Sequence, residues 1–412
     1  FDGGAALNDV NSPQYSAFLW LSEDPRLDEY SDERLIQRYA MATLYFSLGG
    51  DRWIQNDNWL SAADECEWFS RVNRRVCAAP RRRLRKETIN FSRLRRLVLY
   101  YNNLRGSIPP EVGLLTDLEE IYLEGGPLDS ISGSLPTEMY HMTALKEIHL
   151  ANNKITGSIP PEFRAWSELE FVDLSNNEMG GFLSDDLLSG WNHLTELNLS
   201  SNSLRGRLPD TWPSSLEFLD LGNNSLTGPV PPSIGILQDL RLLRLDHNEF
   251  TSLPTDVVSL ESLKDLSMTH NRLQGQILSE LGFLPRLRSL RLGNNSLTGT
   301  IPPELGELVR LVTILDLSRN YLRGPIPTEL GQINDRLRSI NLSGNRLSGT
   351  VPESLSALDR LAEIRLDDND LTGSIPSALC MVWDRTRTTV FVDCAEVDCP
   401  CCNHCCTDGD GC

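Results

Sequence analysis

The chain has 412 residues, of which 40% are hydrophobic and 23% charged, and its formal net charge is −19. That acidity argues against nucleic acid or an anionic membrane surface as a partner of the chain as a whole. No run approaches eighteen uncharged apolar residues, so no membrane-spanning helix is expected within it. The first residue is Phe1, not Met, which reads as a processed form or an excised ectodomain.

Residues 1 to about 60 read as helical. Ser12-Pro13 is an N-cap followed by a first-turn proline, and Tyr15, Phe18 and Leu19 are expected to form one apolar face. A second helix is expected from Ser31, with Leu35, Tyr39, Ala42 and Phe46 on its buried side and Gly49-Gly50 ending it. These helices would cover the end of the fold that follows, with Trp53, Trp59 and Trp68 in the core of the cap.

From about residue 94 one unit recurs roughly every 24 residues. In Leu287–Leu308, Leu287, Leu290, Leu292 and Asn295 stand in L-x-x-L-x-L-x-x-N spacing, extended by Leu297, Gly299, Ile301 and Pro302. Leu290 and Leu292 are two apart, so on a strand both point inward, while Ser289 and Arg291 are expected to face solvent. Asn295 ends the strand, with an amide able to donate to and accept from turn backbone. Twelve repeats follow, with strand-ending residues Asn102, Gly126, Asn153, Asn177, Asn202, Asn224, Asn248, Asn271, Asn295, Asn320, Asn345 and Asn369. The exception, Gly126, coincides with about three extra residues before Pro136, which predicts a bulged turn.

The repeat pattern and the segment Cys66-Glu67-Trp68 to Cys77 together resemble plant-type extracellular leucine-rich repeat proteins, that is receptor-like proteins and ectodomains related to polygalacturonase inhibitors. The leader, with QRYAMATLYFSLGGDRW, is similar to that of diatom-type members. The resemblance implies an α/β solenoid: a right-handed superhelix with a concave parallel β-sheet, a helical N-terminal cap and a disulfide-rich C-terminal cap. The expected divisions are 1–93, 94–379 and 380–412. The resemblance pairs Cys66 with Cys77. The other eight cysteines, Cys380, Cys394, Cys399, Cys401, Cys402, Cys405, Cys406 and Cys412, read as disulfides in an oxidising setting, with 105 possible connectivities. The rival for this tail is a zinc knot that also uses His404. Adjacent Cys-Cys pairs suit the usual zinc chelate poorly, so no metal site is assigned.

Four features bear on function. Outward strand positions in the first third, with Phe218 further on, collect Tyr100, Tyr101, Tyr122, His149, Phe171, Asp173 and Phe218 as a candidate ligand-binding patch. Residues 71–96 carry eleven Arg or Lys against Glu87 alone, leaving −29 on the rest of the chain; Arg74, Arg75, Arg81, Arg82, Arg83 and Arg85 form its basic patch. Sequons at Asn90, Asn198, Asn223, Asn294 and Asn341 predict N-glycosylation, with Asn198 and Asn341 on the sheet face. No nucleophile, kinase, phosphate-loop or metalloprotease motif stands in the sequence, so neither catalysis nor a cofactor is expected.

These features point to an extracellular or cell-surface recognition module, secreted or cut from a membrane-anchored precursor. It would bind a protein, peptide or polysaccharide. The alternatives are a structural or adhesive glycoprotein that self-associates through its basic cap and acidic body, and an inhibitor of a secreted glycan hydrolase.

Overall fold

A single leucine-rich unit has one apolar edge that only a neighbouring unit can hide. The computed structural model describes residues 4–56, 58–68, 93–126, 130–308, 313–333, 336–402 and 404–406. They fall into two compact units, Phe1–Arg205 and Gly206–Cys412, each a leucine-rich repeat solenoid with a parallel sheet along one side.

In the first unit, helix α1 (Pro13–Ser22) begins where expected, with Ser12 Oγ accepting the Tyr15 amide at 2.9 Å. Its buried side differs from the expectation. Phe18 and Leu19 are 53% and 45% exposed, whereas Ala17 is buried and the Trp20 indole N–H donates to the Leu60 carbonyl at 2.9 Å. The cause lies on helix α2 (Asp32–Ser47), capped by Ser31 and followed by Gly49 in the left-handed region. Its Arg38 is fully buried, ion-paired to Asp24 and Glu65, with its guanidinium over the rings of Trp20, Tyr30 and Trp68. A buried guanidinium requires carboxylates and ring faces around it, so α1 presents Trp20 and leaves Phe18 and Leu19 outside. The same centre shifts the inner face of α2: Ala42 is buried as expected, together with Gln37, Arg38, Met41 and Leu44, while Leu35, Tyr39 and Phe46 are only partly so. Trp53, Trp59 and Trp68 are buried, with ring centroids 4.8 and 5.4 Å apart along the series.

This cap closes the first coil by hydrogen bonds to its open backbone. Gln37 Oε1 accepts the Leu94 amide at 3.0 Å, the Leu48 carbonyl accepts the Arg105 amide at 3.1 Å, and Ser47 Oγ donates to the Ser107 carbonyl at 2.6 Å. Gly106 makes the approach possible: its φ is 109°, and a Cβ there would lie 2.1 Å from the Ser47 carbonyl oxygen.

The sheet of the first unit is β1 (Arg96–Val98), β2 (Glu120–Tyr122), β3 (Glu147–His149), β4 (Phe171–Asp173) and β5 (Glu196–Asn198), parallel and paired in that order. Leu97, Ile121, Ile148, Val172 and Leu197 lie in register at the centres and are buried, as are Leu99, Leu123, Leu150, Leu174 and Leu199 two residues on. Each such side chain contributes about 1.5–3 kcal/mol by leaving water. Away from the sheet, five-residue 3₁₀ helices such as Pro110–Leu114 and Pro161–Ala165 return the chain, and α3 (Asp185–Leu188) replaces one of them.

The asparagines form the expected ladder. Asn153 Nδ2 donates to the carbonyls of Leu123, Leu150 and Ala151 at 2.9–3.3 Å, and its Oδ1 accepts the Ile131 amide at 2.8 Å. Asn177 repeats the pattern one coil on with Leu150, Leu174, Ser175 and Ile155. The residue just before the ladder adopts a positive φ in coil after coil, including Tyr101, Asn152, Asn176 and Ser201. Part of the turn that follows Gly126, residues 127–129, lies outside the described residues.

In the second unit, strands β6 (Phe218–Asp220), β7 (Leu242–Arg244), β8 (Asp265–Ser267), β9 (Ser289–Arg291), β10 (Ile314–Asp316), β11 (Ser339–Asn341) and β12 (Glu363–Arg365) continue the same pattern. Ser289 corrects an expectation: it stands on the sheet face but is 0% exposed, because its register neighbours Asp265 and Ile314 are larger and cover it. Helix α4 (Ser377–Thr386) follows the last full repeat, and two more strands extend the sheet into the cysteine-rich tail: β13 (Thr389–Asp393) and β14 (His404–Cys406). Cys380 on α4 is bonded to Cys401, and Cys399 to Cys402; Cys66 and Cys394 are also in disulfides. Cys77 and Cys412 lie outside the described residues, as do the side chains of Cys405 and Cys406.

Two predictions follow from the packing. Asn153→Ala strips four hydrogen bonds from buried backbone and should cost about 2–3 kcal/mol, read as a lower urea midpoint; an unchanged midpoint would refute the ladder's role. Gly106→Ala should loosen the cap, seen as faster hydrogen exchange across α2. Gly126→Ala, whose Cβ meets no described atom within 4 Å, should leave exchange unchanged.

Candidate functional site

On a three-residue strand whose middle side chain is buried, the flanking two face the other way. In the first unit those positions are Arg96 and Val98, Glu120 and Tyr122, Glu147 and His149, Phe171 and Asp173, and Glu196 and Asn198. Three of the expected patch residues form one continuous stack. The His149 ring lies against Tyr122 at 4.3 Å between centroids and 14° between planes, and against Phe171 at 4.3 Å and 20°. Parallel strands sit about 4.8 Å apart, so neighbouring coils hold the rings close to stacking distance.

Glu147 anchors the stack. Its Oε2 accepts the Tyr122 hydroxyl at 2.6 Å and lies 3.3 Å from His149 Nε2. Glu124 Oε1 is 3.7 Å from His149 Nδ1, so the imidazole has a carboxylate near each nitrogen. Burial, the neighbouring Glu147 hydrogen bond and negative charge push the Tyr122 hydroxyl well above its usual titration range. Burial, with Asp173 adding repulsion against the pull of His149, raises the Glu124 carboxyl. Asp173 Oδ1 accepts the Ser175 amide at 2.9 Å. At the other end, the Arg96 guanidinium lies 5.7 Å from the Tyr122 ring centre and pairs with Glu120 at 2.6 Å.

Tyr100 and Tyr101 sit in the turn after β1, edge to face at 5.6 Å, and Tyr101 is 67% exposed with a φ of 52°. They follow the strand that pairs with the first strand of the stack but are not members of it. Phe218 lies on β6 in the second unit. Asn198 and Asn341 stand on strands at half-buried positions, each with Oδ1 accepting the backbone amide and hydroxyl of the serine two residues on, Ser200 and Ser343. Asn223 and Asn294 occupy positive-φ turn positions. Asn90 and the basic patch of Arg74, Arg75, Arg81, Arg82, Arg83 and Arg85 lie outside the described residues.

The second unit holds two stacks absent from the expected patch. His247 and His270, both exposed and at positive φ, stack at 4.1 Å. Arg365 lies over Phe391, which stacks on His404 at 4.6 Å. The tail pair was legible in principle: Val390 and Val392 alternate as the inward leucines do, which places Phe391 on the outer face.

Leucine-rich repeat models match residues 238–297 and, as single repeats, 93–115, 144–166, 193–214, 215–237, 312–333 and 336–358. Receptor-like protein 39 of Arabidopsis thaliana is 31% identical over 186 residues, 44% of this chain and 21% of that protein. Osteomodulin of Bos taurus is 34% identical over 92 residues, 22% of each. Among solved structures, the plant peptide hormone receptor RGFR1 in complex with RGF2 superposes with a TM-score of 0.63 at 29% identity, over 70% of this chain and 49% of that one. A plant ice-binding protein superposes at 0.52 and 26%, over 81% of this chain and 94% of that one. The chain therefore matches about half of the receptor and about a fifth of each curated relative. Its repeats are leucine-rich repeats, and plant receptor-like proteins and receptor ectodomains are among its relatives.

A test of the site's electrostatics uses Glu124. A carboxyl whose folded pKa is raised favours the folded state below the ordinary carboxylate range and loses that advantage as pH rises through the raised value. Relative to Glu124→Gln, the native chain should thus lose stability between acid and neutral pH. Urea midpoints of the two proteins measured across that range should diverge in the variant's favour, and a divergence of opposite sign would contradict the assignment.

Proposed function

We propose that this chain is an extracellular ligand-recognition module whose protein, peptide or glycan ligand lies across the sheet face of the first unit, on Tyr122, His149 and Phe171. The observation that carries this reading is the three-ring stack. The leucines and isoleucines between coils already fill the core, so rings on the opposite face are not needed for packing. Half-exposed aromatics held rigid by a hydrogen bond and by each other present contact area at little entropic cost. The disulfides Cys380–Cys401 and Cys399–Cys402 support an oxidising, extracellular setting. Structures of plant receptors solved with peptides, RGFR1 with RGF2 and HAESA with an IDA peptide, support a ligand role for this type of solenoid.

The test is a screen of extracellular peptide and glycan arrays, with each ligand found then titrated against Tyr122→Ala and Phe171→Ala. Affinity should fall at least tenfold, about 1.4 kcal/mol, with circular dichroism unchanged. Ligands that bind both variants as tightly as the native chain would show the recognition surface to lie elsewhere.

A further inference from the structure

The charge around the stack is one-sided. Glu120, Glu124, Glu147, Asp173 and Glu196 surround the three rings, while among the described outward strand residues of the first unit the permanent cation is Arg96, already paired with Glu120. Among the described residues Glu196 is exposed with no hydrogen-bonding or ionic partner for its carboxylate, and no guanidinium or ammonium lies over Phe171. Arg96 meanwhile displays a working arrangement, a guanidinium set over one end of the stack and neutralised by the carboxylate beside it. Phe171, at the opposite end, stands in register between Glu147 and Glu196 and has the same two ingredients without the cation.

We infer that this face binds an extended, arginine-bearing peptide segment, with one guanidinium seated over Phe171 and paired to Glu196. The inference rests on the recognition reading above and names its ligand class. A planar guanidinium stacks on a ring and engages a carboxylate together, which a lysine ammonium does less well. Five strands about 4.8 Å apart span on the order of 19 Å, the reach of about six extended residues. Four surplus carboxylates would speed encounter and make binding sensitive to salt.

The probe is a dye-labelled octapeptide of alternating glycine and arginine, titrated by anisotropy against the full chain at 50 and 150 mM NaCl. Lysine and glutamate versions and cellohexaose serve as comparisons. Expected are saturable binding of the arginine peptide, weaker binding of the lysine peptide, and at least fivefold loss in Phe171→Leu and in Glu196→Gln. Glu261→Gln, an equal charge change at an exposed site in the second unit, should leave affinity unchanged. Equal weakening by Glu196→Gln and Glu261→Gln would mean general attraction to an acidic protein and would overturn the inference. So would full affinity in Phe171→Leu, or no arginine-peptide binding at 50 mM NaCl. Binding of the glutamate peptide or cellohexaose alone, lost in Tyr122→Ala, would sink the cationic ligand while leaving the recognition reading intact.

Discussion

The rest of the structure depends on one side-chain amide per coil. A solenoid turns its chain sharply at the end of every strand, and each turn brings carbonyls to the interior that no strand can pair. Asn153 shows the solution: it donates to Leu150 and Ala151 of its own coil and to Leu123 of the preceding one, and accepts the Ile131 amide of that preceding coil. Unpaired, each such carbonyl would cost on the order of 1–3 kcal/mol. Because the same bonds recur with a one-coil shift at Asn177 and again in the second unit at Asn248 and Asn271, neighbouring coils are fixed in register. The leucines supply most of the driving force but are indifferent to small slippages. The amide is what makes each strand end at the same level, and so brings outward side chains of successive coils into columns.

The columns were readable in advance because they follow from period two on a strand and a repeat of about 24 residues. Tyr122, His149 and Phe171 could therefore be gathered from distant parts of the sequence. What periodicity does not encode is the tilt of each ring and the partner that sets it. Glu147, which holds the Tyr122 hydroxyl, reads as one acid among many. Ser289 shows a second gap, since facing outward does not mean being exposed when larger residues flank a small one. In the cap the hydrophobic pattern found the buried tryptophans but not the inner face of α1. A fully buried arginine gathered ring faces and carboxylates around itself and so decided which side of α1 turned inward, leaving Phe18 and Leu19 outside.

Scaffold and recognition are separable here. The same coil architecture is shared with a receptor solved with a peptide hormone and with a protein described as ice-binding, so the fold alone assigns no ligand. What is particular to this chain is the chemistry laid over the scaffold: rings stacked across three strands, carboxylates on both sides of them, and an arginine already in place at one end. Two histidines at positive φ in the second unit belong to the same class of feature. Most turns of this kind use asparagine, serine or glycine at that position, whose small side chains suit it better.

Each end of the repeat array is secured by a cap of its own. At the N-terminal end the first coil is held by hydrogen bonds from a cap whose centre is the ion-paired Arg38, and Cys66 of that cap is in a disulfide. At the C-terminal end the disulfide from Cys380 to Cys401 joins α4 to the tail that supplies the last strand. In a quasi-one-dimensional protein, where each repeat leans only on its neighbours, coils are lost most easily from an end. Such an array unravels from its ends inward, and because a disulfide-bonded cysteine stands in each cap, a reductant would loosen both termini while leaving the asparagine ladder between them intact.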